Sequence, residues 1–407
     1  MFSNQEAEVS LHQPVRTLDA VRGDKVDTRF IAGSCSLRGD NHLSVVRFHS
    51  ESNQLGVDAF LSHPTGPVSR LCTSPNDKTM VLSVAENSSE AILWRIPTEI
   101  MNHNNEIGFD GEDEGFGGVT KEVSPIEQLA SMQLPPPTEN QVDAASSAAL
   151  ADITWRGAFD EEPSAMGDVL TLDHGGRLAQ WDVSLGTSQL TREISASSAT
   201  DNEQQHTAPW NVPPRIAWDP HSVDITAVSI GTRIVVTDWR TATGTATELC
   251  SSFQCHRYGI TDLDFNPNKP NVLATSGQDG LLKFWDLRSP KKSLLVARGG
   301  HRHWASRVSY NPFHDQLVIS AGTDSLVNLW RVSTISSAPL LTLDEENVDG
   351  KSDTSAPNVR VARYEHMDSV YALAWGAADA WVYATAGYDG KVVLNHVPSK
   401  EKYKILL

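Results

Sequence analysis

Three histidines in the C-terminal half of this chain are followed by the same chemistry at the same distances. His256, His301 and His366 each have a hydroxyl 19 residues on (Thr275, Ser320, Thr385), an aspartate 23 residues on (Asp279, Asp324, Asp389) and the end of an apolar run 29 residues on (Trp285, Trp330, Asn395). Self-similarity of this kind marks a repeat architecture, in which each unit buries its apolar face only against its neighbours.

Each unit carries the local pattern of short strands. The apolar runs are ITDLDF, RVSYNP and VYALAW, then LATS, VISA and YATA, then LKFW, VNLW and VVLN. Asn-Pro, Gly-Gln-Asp-Gly and Gly-Tyr-Asp-Gly separate them, which is turn chemistry. Four short strands in roughly 40–45 residues describe one blade of a β-propeller. The register residues match the hydrogen-bonded tetrad of WD repeats, in which a turn Asp accepts from the His, the His contacts the Ser or Thr, and that hydroxyl meets the Trp indole. Each neutral link is worth about 1 kcal/mol net, and the Asp–His link more. That role is structural.

The strand-end position continues upstream through Trp239, Trp181 and Trp94 to Phe48, giving seven positions with Trp285, Trp330 and Asn395. The expected fold is therefore all-β: one seven-bladed WD40 β-propeller with blades at about 8–62, 66–134, 148–192, 210–250, 256–297, 301–343 and 361–407. Arg233 stands where a tetrad Asp would sit and Asn395 replaces a Trp, so those blades must rely on core packing. Segments 101–124 and 344–358 are Gly-, acid- or Ser-rich, cannot bury a core, and read as two mobile loop insertions. The stretch SPIEQLASMQL after the first of them reads as an outer strand returning to the sheet.

Charge then narrows the function. The chain holds 33 basic and 51 acidic residues, a formal net charge of −18. Affinity for nucleic acid is largely phosphate neutralisation, so direct DNA or RNA binding is not expected, and an anionic membrane would be met only through a partner. The longest apolar runs are strand-sized, short of the ~20 residues that span a bilayer. The N-terminus lacks a basic start with an apolar stretch behind it, so the expectation is a protein without a secretory leader. Four cysteines, Cys35, Cys72, Cys250 and Cys255, are too few for a disulfide scaffold and read as reduced thiols.

Catalytic and metal motifs fail on inspection. DGEDEG at 110–115 resembles a calcium loop, but its twelfth position is Lys121 where a Glu is needed. Cys250, Cys255 and His256 lack a second pair at zinc spacing, and His301 of the His301-x-His303 pair is already a tetrad residue. Asn87-Ser88-Ser89 fits a glycan acceptor, which a chain without a leader would not present to that machinery. No phosphate loop, nucleophile elbow or dinucleotide glycine pattern occurs. The expectation is a protein that is not an enzyme and needs no cofactor or metal.

Longer segments carry a closer likeness. DLDFNPNKP (262–270), HRHWASRVSYNPFHDQLVISAGTDS (301–325), residues 365–407 and IAGSCSLRGDNHLSVVRF near the N-terminus resemble the EARP- and GARP-complex-interacting (tumour-suppressing subtransferable candidate) family of WD-repeat proteins. The acidic insertion near 344–358 and Asn395 also resemble family traits. The resemblance implies a scaffold in endosomal recycling and endosome-to-Golgi retrograde traffic. It would bind EARP/GARP tether subunits, with a small GTPase as a further partner, and help place the endosomal tether on its membrane. It would be cytoplasmic, peripheral to endosomes and the trans-Golgi network through partners, and a monomeric propeller.

A reading from another class comes from Phe284-Trp285-Asp286-Leu287-Arg288, which resembles the WDxR box of cullin-RING substrate receptors; Asp286 and Arg288 would then contact the ligase adaptor. The plainer account is that Trp-Asp simply ends a propeller strand. By register, the partner face beside the tetrad turns should present Tyr258, Gln278, Trp304, Ser306, Tyr371 and Tyr388. Exposed aromatics there would serve as binding hot spots; the alternative is that some, Trp304 especially, pack between blades.

Overall fold

A computed structural model describes residues 7–102, 123–134, 149–156, 169–183, 188–195, 212–240, 246–248, 255–339 and 357–406. The acidic motif at 110–115, most of the two insertions and Cys250 lie outside the described residues.

Seven antiparallel sheets stand around a central channel, each with its first strand innermost. The fifth blade is representative: Ile260–Phe265 lines the channel, and Val272–Gly277, Leu282–Asp286 and Leu295–Ala297 follow outward. The second strand of a blade lies between two neighbouring sheets, so its residues are buried on both faces. Val272–Gly277, Leu317–Gly322 and Val382–Gly387 are buried at every position. This is why LATS, VISA and YATA read as continuous apolar runs instead of alternating ones.

The ring closes across its ends. Ala7–Ser10 pairs with Lys391–His396, Ala7 opposite Leu394 and Ser10 opposite Lys391, and becomes the outer strand of the last blade. The first blade, expected from residue 8, instead begins at Val15–Ala20. The sixth blade differs likewise: its outer strand is Asn358–Glu365, on the far side of the 344–358 insertion, where the reading had ended that blade at 343 and begun the next at 361. In both places pairing follows the exposed edge available in three dimensions, not the nearest run in sequence. Glu127–Gln133 is the outer strand of the second blade, and Val123–Ser124 adds a fifth, parallel strand to the first.

Six of the seven inner strands carry a bulge just after their first residue, at Arg16, Ser69, Ala151, Thr261, Ser306 and Tyr371. A bulge sharpens the local twist and re-aims the following side chain. In four of these blades the residue after the bulge lines the channel: Arg70, Asp152, Asp262 and Arg307. The C-terminal helix Ser399–Leu406 is clamped to the sixth blade by a buried ion pair between Glu401 and Arg331.

Candidate functional site

The tetrad turns gather on one end of the ring, which we term the upper face. In the fifth blade His256 Nδ1 donates to Asp279 at 2.8 Å, Thr275 Oγ1 lies 2.9 Å from His256 Nε2, and the Trp285 indole donates to the same hydroxyl at 3.0 Å. The sixth blade repeats this with His301, Asp324, Ser320 and Trp330 at 3.1, 2.8 and 2.9 Å. A glycine precedes each turn because a Cβ there would strike the imidazole. Added to Gly322, it would lie 2.4 Å from His301 Nδ1 and 2.3 Å from Asp324.

The seventh blade keeps only half of the network. His366 Nε2 sits 2.8 Å from Thr385, but Asp389 is 3.9 Å from His366 Nδ1, too far for a hydrogen bond. Buried Asn395 is too short to reach Thr385, and neither atom of its amide has a partner among the described residues. Conversely, sequence reasoning missed partial networks upstream. His63 Nε2 meets Ser83 at 2.8 Å and the Trp94 indole donates to that hydroxyl at 2.8 Å, while Trp181 and Trp239 donate to Thr171 and Thr226. The hydroxyl-to-Trp spacing is 10 for Trp181 but 11 for Trp94 and 13 for Trp239, so a search at 10 alone passes the last two by.

These networks set a pH dependence. Burial pushes the imidazoles of His63, His256 and His366 below their ordinary value, with the Gly66 carbonyl, Asp279 and Asp389 respectively offsetting part of the effect. A depressed folded-state pKa gives stability that is present above about 6.5 and is lost as pH falls through it. Asp264 has the opposite sign. Burial raises its carboxyl to about 7, so its contribution is present below about 4 and is lost as pH rises to 7. Burial also raises Asp152, Asp219 and Asp262 and lowers His42, His174, His314 and His396, so seven imidazoles stand against four carboxyls and the melting temperature should drop from pH 7 to pH 5. Asp264→Asn should steepen that drop, which calorimetry across the range checks.

The channel encloses about 640 Å³. Around its upper end one residue per blade occupies the same register position: Thr17, Arg70, Asp152, Arg215, Asp262, Arg307 and Ala372. The five middle members alternate in charge. Arg70 lies 3.2 Å from Asp152, Asp152 lies 4.0 Å from Arg215, and Asp262 lies 3.4 Å from Arg307. Four of these side chains also bond the backbone of the next blade, while Arg70 donates to the Ser69 carbonyl of its own strand. Asp152 and Asp262 accept from the N–H groups of Ile216 and Val308, and Arg215 and Arg307 donate to the carbonyls of Thr261 and Tyr371. The girdle thus ties blade to blade. It was not read from the sequence, although Asp262, Arg307 and Ala372 each lie six residues behind a tetrad histidine.

Beside the girdle lie the sequence-predicted contact residues. Tyr371 is half-buried beneath the Arg16 guanidinium, 5.8 Å from its ring, and meets exposed Tyr388 edge-on at 6.4 Å. Trp304 is half-buried and stacked on His303 at 5.3 Å, and Arg257 lies over Tyr258 at 5.3 Å. Ser306 donates to the Val370 carbonyl and spends its hydroxyl between blades. Gln278 is buried, 6% exposed, with Oε1 accepting from Gly259 N. Its place on the accessible face is therefore corrected: it braces its own turn. The aromatics remain the accessible part of the set.

Arg288 folds back on Asp286 through both guanidinium and backbone N–H groups, and the contact lowers the Asp286 carboxyl pKa. Arg240 makes the same closure on Asp238 in the fourth blade. Among the described residues no group of three or more His, Cys, Asp or Glu is arranged to hold a metal ion.

Comparison with known proteins gives consistent matches. The family model described as EIPR1 beta-propeller matches residues 166–330. The EARP-interacting protein homolog of Gekko japonicus is 30% identical over 398 residues, covering 93% of both chains. EARP and GARP complex-interacting protein 1 of Macaca fascicularis is 29% identical over 395 residues, again 93% of both. WD repeat-containing protein DWA2 of Arabidopsis thaliana is 26% identical over 396 residues and 95% of both.

Proposed function

This chain belongs to the family of EARP- and GARP-complex-interacting proteins, and on that premise we propose that it is a non-catalytic platform that binds a vesicle-tethering complex of the EARP/GARP type. End-to-end likeness to relatives that carry those complexes in their names supports the reading. In this account the chain acts in endosomal recycling and endosome-to-Golgi retrograde traffic. It helps recruit the tether and reaches endosomes and the trans-Golgi network through it. No helix among the described residues is long and apolar enough to cross a membrane, so attachment through a partner is the route proposed.

The contact surface proposed is the upper-face aromatic set Tyr258, Trp304, Tyr371 and Tyr388. Half-buried aromatics on rigid turns lose little entropy on binding and make good anchors. Trp304→Ala with Tyr371→Ala should weaken binding to purified tether by more than about tenfold, the usual scale for two anchors at a little over 1 kcal/mol each. Its melting temperature should stay close to the parent's. Unchanged affinity in a well-folded double variant would move the contact elsewhere.

The ligase-adaptor reading has one observation in its favour: the Arg288 guanidinium is 68% exposed and held in place by Asp286. The recurrence of that closure at Asp238 and Arg240 favours a turn-closing role instead. Arg288→Ala separates them, since tether binding should survive it and adaptor binding should not.

A further inference from the structure

Among the described residues, the ion pairs at the upper mouth of the channel join more guanidiniums than carboxylates. Arg16, Arg70, Arg215 and Arg307 stand there with Glu86, Asp152 and Asp262 as their ion-pair partners, four guanidiniums to three carboxylates. The buried Nε of Arg70 and Nη1 of Arg215 make no hydrogen bond among the described residues. Asp264, deeper in the channel, accepts from Tyr310 N and Ser309 Oγ and so is turned to the blade interface. This excess sits on a chain of net charge −18, so it is a local feature and not a general basic surface.

The geometry points to an oxyanion site at this mouth, occupied by a phosphate group held by Arg16, Arg70 and Arg307. Three blades supply the cations. Arg70 comes from the second, where its Nη1 is fixed by the Ser69 carbonyl at 2.5 Å. Arg307 comes from the sixth, fixed by the Tyr371 carbonyl at 3.1 Å. Arg16 comes from the first, exposed at the rim over the Tyr371 ring. Burial lowers the Arg70 guanidinium to about 10; Asp152 and Asp262 offset part of that cost, Arg307 and Arg16 add to it, and a bound anion would relieve it further. Planar guanidiniums bind phosphate oxygens through paired N–H donors, which a ring of three can supply from several sides. Tyr371, beneath Arg16, meets Tyr388 edge-on beside these cations. The phosphate could belong to a small free polyphosphate or to a phosphorylated side chain of a bound protein; the recognition chemistry is shared.

Calorimetric titration of the full chain with inorganic phosphate, pyrophosphate and capped phosphoserine, at ionic strength matched with chloride, tests this assignment independently of tether binding. Phosphate and its relatives should bind with saturable heat and raise the melting temperature. Arg16→Gln, a rim change that spares the buried girdle, should weaken binding about tenfold, as loss of one charge-assisted contact does. Arg307→Met should weaken it at least as much. Tighter binding of pyrophosphate than of capped phosphoserine assigns the site to a free polyphosphate. Equal or tighter binding of capped phosphoserine assigns it to a modified partner. No heat beyond the chloride control, or equal affinity in Arg16→Gln, would overturn the site.

Discussion

Deleting residues 1–10 is expected to lower the melting temperature by about 5–10 °C and to make the protein prone to association. The deleted segment contains Ala7–Ser10, the only strand that links the first part of the chain to the last sheet among the described residues. It removes buried Ala7 and its partly buried neighbour Val9 from a cluster with Val392, Leu394 and Ala384. It also frees the edge of Lys391–His396 and leaves Leu11, which donates to the Gly390 carbonyl, without its lead-in. Apolar burial at about 25 cal/mol per Å² and the lost ladder together amount to about 4–6 kcal/mol, and each kcal/mol is worth about 1–2 °C in a chain of this length. The bared edge is a template for pairing with other chains. Scanning calorimetry with light scattering reads both effects. An unchanged midpoint would mean that the ring is held closed elsewhere.

Arg29→Ala should cost about 3–5 kcal/mol, the scale for stripping one partner from a buried ion pair. Its guanidinium is fully buried and serves three carboxylates: Asp24 in close contact, Asp27 at 2.8 Å and Asp58 at 3.4 Å. Arg47 also holds Asp58, at 3.2 Å, so one acid retains a cation while Asp24 loses its only ion-pair contact among the described residues. Urea unfolding gives the loss directly. The double variant Arg29→Met with Asp24→Asn should recover part of it, because the second change removes the stranded charge. Additive losses would show that Asp24 is satisfied by its backbone donors at Val26 and Asp27 without the arginine.

The sequence spoke most clearly where turn geometry fixes spacing. A tetrad needs His, hydroxyl, Asp and Trp at set offsets, so blades with equal hairpins repeat those offsets, and the propeller could be read from His256, His301 and His366. Ser83–Trp94 and Thr226–Trp239 escaped because longer hairpins shift the offset while the hydrogen bond survives. The N-terminal strand was placed on the wrong blade because ring closure joins residues nearly 400 positions apart, as in the Lys391–Glu8 ion pair, and leaves no local trace.

The candidate site was legible only in part. Aromatics beside the turns could be placed by counting from the histidines, and Tyr371, Tyr388 and Trp304 do stand on the accessible face. Gln278 could not be told apart from them, because counting gives a face but not whether a neighbouring N–H has claimed the side chain. The alternating girdle was invisible for a different reason. Arg70, Asp152, Arg215, Asp262 and Arg307 lie in five different repeats, and only the closed ring turns isolated charges into neighbours.

The most direct test of the binding-platform account is gentle affinity purification of the tagged full chain from its own cells, with quantitative mass spectrometry of what is retained. The account predicts tether subunits of the EARP/GARP type in amounts near that of the chain, reduced in the Trp304→Ala, Tyr371→Ala variant and retained in Arg288→Ala. Recovery of a cullin-ligase adaptor lost in Arg288→Ala, with no tether subunits, would contradict it.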